Sequence, residues 1–156
     1  CNLQLASFAL RGGRADYQAI LDLILNDNRC TYKSPQIITD ATEGVETFEQ
    51  AMIMRGYDVN VVESKRIGVQ VKNLTDGYVH QALYEAGDSD ADIVALVSGD
   101  SDFDPALNYI KLIKGKIVEV YALRDTLSIE LYAVADRIAY LDDLSEKGKN
   151  EKSYAI

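Results

Sequence analysis

Three carboxylates in alternation, Asp100, Asp102 and Asp104, carry the strongest chemical signal in this chain. They follow the apolar run Ile93 to Val97 across a small turn, Ser98-Gly99. Clustered carboxylates repel one another unless something positive neutralises them. A divalent cation is the simplest partner, and an all-oxygen set favours magnesium or manganese over zinc. The supply of zinc ligands is thin as well, with one histidine and two cysteines, Cys1 and Cys30.

A continuous Val/Ile/Leu-rich run bounded by turn residues predicts a strand buried on both faces. The carboxyl end of such a strand is where open parallel sheets place their ligand sites. Around it the pattern predicts a helix over 16–25, a strand over 36–39 (with 29–33 as the competing segment) and a helix over 42–55. Thr42 would cap that helix and Gly56 would stop it. A strand over 58–62, a polar loop over 64–73 and a helix over 74–86 come next. After the 93–97 strand, Asp104-Pro105 reads as cap and first-turn proline of a helix that Gly115 ends. A strand over 117–122, a helix over 126–135 and a strand over 137–141 complete the series. Periodicity is lost beyond Asp143, so the domain is predicted over 1–144 and a flexible tail over 145–156. Strands alternating with helices specify a three-layer α/β/α fold with a mostly parallel sheet.

The chain has 156 residues, enough for one domain. A domain of that size buries roughly 70% of its unfolded surface. No window approaches the ~18 apolar residues of a membrane span, and no basic-then-apolar leader opens the sequence. A cytoplasmic protein without a membrane partner is the expectation. The net charge of −9 argues against bulk nucleic-acid affinity, which normally shows as a basic face. It leaves room for an enzyme that meets a few phosphates through metal ions and a local basic rim. Arg11, Arg14, Lys65, Arg66, Lys72 and Arg124 fall in segments predicted on the strand-carboxyl side. They either form that rim or are scattered solubilising charge.

With these residues laid out, the chain resembles the NYN family, a PIN-like nuclease fold. The resemblance is most specific over Leu96-Val97-Ser98-Gly99-Asp100-Ser101-Asp102-Phe103-x-Pro105 and Lys114-Gly115-Lys116-x-Val118. It continues through Ser128-x-x-Leu131 and Ala135-Asp136-Arg137. Asn2-Leu3 is similar to the end of the family's opening motif, a strand finishing in Asp-x-x-Asn-Leu. Lys72 to Asp76 is similar to its Lys-Gly-x-x-Asp segment, with Asn73 where glycine is usual. In the region where the family often carries another aspartate, this chain reads Val79-His80-Gln81-Ala82.

What the resemblance implies is metal-dependent hydrolysis of RNA by an endoribonuclease, single-stranded or structured RNA being the partner. Asp100 and Asp76 would bind Mg2+ or Mn2+, together with an opening-strand aspartate that would precede Asn2. Asp102 would bind through water or orient the attacking water. Asn2, Ser98 and Lys72 would contact the phosphate or support the site. The implied strand order is 3-2-1-4-5 with the opening strand central, and that strand is expected to be missing from this chain. Either the polypeptide extends upstream, or another segment fills the gap. The competing function is a catalytically impaired module that binds RNA or a protein partner, and a homodimer stays open.

Each residue also has a plainer use. Asp104 before a proline is a helix cap. Asp102 beside a turn can bond its own backbone, and Asp76 can complement a helix dipole. His80, the only histidine, reads as packing. Both Asp-x-Asp-x-Asp runs, 88–92 and 100–104, superficially resemble a calcium loop. They lack its sixth-position glycine, where Ile93 and Pro105 stand, and its twelfth-position glutamate, where Gly99 and Lys111 stand.

Overall fold

The computed structural model describes residues 2–8, 16–26, 29–63, 65–67, 70–72, 74–142 and 144, with 2–8, 65–67 and 70–72 described by backbone. Arg11, Arg14 and the predicted tail 145–156 lie outside the described residues. In chain order the elements are β1 (Asn2–Phe8), α1 (Tyr17–Ile24), β2 (Cys30–Thr31), β3 (Gln36–Asp40), α2 (Val45–Ile53) and β4 (Asp58–Val62). Then come β5 (Lys65–Ile67), β6 (Gln70–Lys72), α3 (Thr75–Asp88), β7 (Ile93–Val97), α4 (Asp104–Asn108), β8 (Ile117–Ala122), α5 (Ile129–Val134) and β9 (Arg137–Tyr140).

The main sheet is parallel and five-stranded, in the order β2-β1-β7-β8-β9. All five residues of β7 are buried, as its unbroken apolar run requires. Its alternate side chains feed two cores. Val94 and Leu96 pack with Val79, Leu83, Leu107, Val120 and Leu131 on one face. Ile93, Ala95 and Val97 pack with Ile20, Ile24, Met52 and Tyr121 on the other. Helices therefore cover both faces, and the three-layer expectation holds.

The opening of the chain corrects one expectation. The central position is not vacant: β1 pairs with β7 from Leu3↔Ile93 to Phe8↔Val97, with an irregularity between Ala6 and Phe8. Residues 2–8 alternate polar and apolar, which suits a strand better than the strand exit inferred from Asn2-Leu3. The order 1-4-5 is recovered as β1-β7-β8. Strands β3 and β4 form their own parallel pair, in register from Gln36↔Asp58 to Asp40↔Val62. Strand β3 lies alongside β1, but the backbone of β1 is paired with Cys30 and Thr31 of β2 instead. Ile37 and Ile38 of β3 still enter opposite cores, so the layering continues through it.

Three smaller departures have local causes. The predicted polar loop over 64–73 contains an antiparallel hairpin, β5–β6, paired from Lys65↔Lys72 to Ile67↔Gln70. Gly44, not Thr42, occupies the N-cap of α2, and Thr42 contributes its carbonyl to the Val45 amide at 3.1 Å. The helix predicted over 126–135 is confined to α5, because the Ser128 hydroxyl caps it by accepting from the Leu131 amide at 3.3 Å.

Candidate functional site

The carboxyl end of β7 is shaped by local hydrogen bonds. The Ser98 hydroxyl accepts from the Asp100 amide at 3.2 Å, and Asp100 Oδ1 accepts from the Asp102 amide at 3.0 Å. Asp100 thereby caps a single 3-10 turn, Ser101–Phe103, that leads into α4. The cap role expected of Asp104 is thus corrected: Asp104 is the first residue of α4, and its Oδ1 accepts from Asn108 Nδ2 at 2.7 Å. Gly99 is obligatory here for space. A Cβ at this position would lie 2.2 Å from the Thr126 carbonyl oxygen. The Gly99 carbonyl in turn accepts from the Ser128 amide at 2.9 Å. The turn after β7 and the loop after β8 are therefore one locked unit.

A hollow of about 770 Å3 opens beside this turn. Its polar wall includes Asp40 at the end of β3, Thr75 and Asp76 at the start of α3, Ser98 and Asp100 after β7, and Thr126 and Ser128 after β8. Its apolar side includes Ile37, Tyr17, Phe48 and Tyr121. Asp76 and Asp100, paired on sequence grounds, share this one cavity and are both exposed to solvent. Neither has a cationic partner among the described residues. Burial pushes the Tyr17 and Tyr121 phenols up, and Tyr121 also donates to Glu119 at 2.7 Å. Both phenols stay protonated at neutral pH, so neither is a general base.

The other predicted site residues fall differently. Asp102 is exposed and is not among the residues lining the hollow; its backbone amide, not its carboxylate, supports Asp100. Asn2 starts β1 beside Cys30, at the sheet end opposite Asp100, so the register does not bring it to the hollow. That corrects its expected place, because β1 enters where an exiting strand was read. Lys72 closes β6, three residues before Thr75, a reach of roughly 10 Å of extended chain. Arg124 follows β8 on the same side, and its guanidinium lies 4.1 Å from the centre of the Tyr140 ring. His80 packs against Phe103 at 5.2 Å between ring centres, as a structural histidine would.

Sequence reasoning missed Asp40 and Thr75. The Thr75 hydroxyl donates to Asp40 Oδ1. The signal for Asp40 was present: Ile37-Ile38-Thr39-Asp40 is a second apolar strand ending in aspartate, as Ile93 to Asp100 is in longer form.

The sequence matches the NYN domain family over residues 3–142. The chain belongs to that family. NYN domains are PIN-like nucleases, a class that uses divalent metal ions. The fold of this NYN domain is similar to the crystal structure of a protein of unknown function from Vibrio parahaemolyticus, with a TM-score of 0.76 and 22% identity. The likeness covers 91% of this chain and 93% of that one. Comparison with curated proteins returns no match.

The donor chemistry of the NYN hollow can be tested against a metal. Among the described residues no group of three or more His, Cys, Asp or Glu side chains could hold an ion by itself. A closed four-ligand cage of the zinc type therefore does not fit these residues. Magnesium keeps several waters and is commonly held by one or two carboxylates plus substrate phosphates. Asp76 and Asp100, exposed in one hollow and without a cationic partner among the described residues, fit that mode.

Proposed function

We propose that this NYN domain is a metal-dependent endoribonuclease that hydrolyses RNA phosphodiester bonds with Mg2+ or Mn2+. The observation that carries the reading is that Asp76 and Asp100, from different elements, line one hollow at the sheet's carboxyl end with no cationic partner among the described residues. A divalent ion bound in the hollow would draw both carboxylates to it and offset the repulsion that bringing them together costs. When bound, the ion would lower the pKa of a water and neutralise charge on the phosphoryl oxygens.

The chain's own residues supply the rest. Asp100 is oriented by the Asp102 amide through Oδ1, which leaves its second oxygen for a ligand and reduces the side-chain freedom lost on binding. Ser98 fixes the turn from the other side and offers its hydroxyl to a phosphate oxygen. Asp76 would share the ion from the first turn of α3. Lys72, carried by the hairpin that precedes α3, and Arg124 would meet the RNA backbone. Locking the β7 turn to the Thr126–Ser128 loop is the preorganisation that a transition state rewards.

One observation favours the alternative of a module that binds RNA or protein without cutting: the described residues assemble no three-carboxylate group. Incubating a fluorophore-labelled single-stranded RNA with the protein separates the two. Cleavage that needs Mg2+ or Mn2+, stops with EDTA and disappears in Asp100→Asn supports the enzyme. RNA left intact at every metal concentration would support the binding module instead.

A further inference from the structure

The bond from Thr75 Oγ1 to Asp40 Oδ1 joins the carboxyl end of β3 to the first residue of α3. Thr75 is buried, with 6% of its surface exposed, although it stands in the wall of an open hollow. The position before it, Leu74, provides no side-chain cap to the helix. The first amides of a helix have no intrahelical partners, so an uncapped first turn depends on neighbouring groups for its place. Threonine in a helix divides between two side-chain rotamers, and an external acceptor selects one. A carboxylate acceptor makes the shorter, stronger form of such a bond. The charge of Asp40 also lies beside the positive end of a 14-residue helix.

We infer that Asp40 is a positioning residue: through the Thr75 hydroxyl it fixes the first turn of α3, and with it Asp76 in the wall of the hollow that Asp100 also lines. The inference rests on reading the hollow as a divalent-cation site. Outer partners that orient ligands typically change metal affinity 10- to 100-fold when removed. The expected effect of Thr75→Val is a loss of Mn2+ affinity of about that size. Thr75→Ser, which keeps the hydroxyl, restores most of it.

The test is a titration with Mn2+ alone, followed by electron paramagnetic resonance, on the full chain and on Thr75→Val, Thr75→Ser, Asp40→Ala and Asp100→Asn. Amide hydrogen exchange at Asp76 and Gly77 is measured on the same samples. The inference stands if Thr75→Val and Asp40→Ala both weaken Mn2+ binding and speed exchange in the first turn of α3, while Thr75→Ser does neither. It is overturned if both variants bind Mn2+ like the parent, or if Thr75→Ser fails as badly as Thr75→Val. A parent chain that binds no Mn2+ overturns the cation reading itself, and this inference with it. That failure is told apart by Asp100→Asn, which then changes nothing. Should Thr75→Val or Asp40→Ala not fold, Asp40→Asn carries the same comparison, because an amide oxygen is the weaker acceptor.

Discussion

At the amino end of the sheet Asp88 meets Lys114 at 2.7 Å, Asp136 meets Lys111 at 2.9 Å, and Lys116 donates to the Ser89 and Ala91 carbonyls at 2.6 and 2.5 Å. At the carboxyl end Asp76 and Asp100 line the hollow with no such partner among the described residues. The sheet's interior follows the first pattern: Glu119, 2% exposed, is paired with Arg29 at 2.7 Å, with Arg137 at 3.8 Å, and bonded by Tyr121. The chain thus pairs its carboxylates in one place and, among the described residues, leaves two of them exposed without a cation in another, the division on which the proposed chemistry rests. The lysines of the Lys114-Gly115-Lys116 segment belong to the stabilising end. Gly115, at φ +66°, closes the π-helical turn Tyr109–Ile113 so that Lys116 can reach back to the β7 approach.

The contrast can be broken at either end. The largest effect is expected from Gly99→Ala, whose methyl group would overlap the Thr126 carbonyl. Overpacking of this kind costs about 1–3 kcal/mol, and a rigid backbone neighbour puts it at the upper end. Urea unfolding should show the loss, and RNA cleavage should fall with it. Asp100→Asn should lower cleavage by at least about 100-fold, beyond the loss typical of an outer partner. Its melting temperature should barely move, since asparagine caps as well as aspartate. Lys116→Met should do the reverse, removing about 2 kcal/mol of stability through bonds to a charged donor. Its rate per folded molecule should stay that of the parent.

Acid tests the amino end through its paired carboxylates. The Val118 amide and the Lys111 ammonium hold the Asp136 carboxyl below its ordinary value. Its contribution is therefore complete above the unfolded carboxyl value, near 3.9, and is lost as pH falls through the lower folded value. Stability measured below roughly pH 4 should decline less steeply in Asp136→Asn than in the parent. The smallest effect belongs to Asp104→Asn, which disturbs one same-helix pair worth about 0.2–0.5 kcal/mol and leaves cleavage intact.

Strands β7 and β8 were legible because burial on both faces forces near-continuous apolar runs, and their predicted bounds match those observed. The Asp76–Asp100 pairing was legible because both carboxylates sit in segments of recognisable motif. Asp40 was passed over although Ile37-Ile38-Thr39-Asp40 carries the same apolar-run-then-aspartate signal in shorter form, because a single aspartate at a strand end gains weight only once β3 is placed beside the hollow. Hairpin β5–β6 was hidden because strands of three residues each are too short for a period to stand out among charged neighbours. Strand β1 was misread because Asn2-Leu3 was matched to the end of an opening strand, whereas residues 2–8 themselves form the strand that lies between β2 and β7. The partner of Asp136 was equally out of reach: Arg137 is adjacent in sequence, but parallel pairing turns Arg137 toward Glu119 and leaves Asp136 to Lys111.

The separation of reactive from stabilising charge is tested most directly by crystals of the protein soaked in Mn2+ and measured at the manganese absorption edge. The account predicts an anomalous peak inside the hollow, within coordination distance of both Asp76 and Asp100, that is lost in Asp100→Asn crystals. A peak confined to the amino-end acids Asp88 or Asp136, or no peak at any Mn2+ concentration, would contradict it.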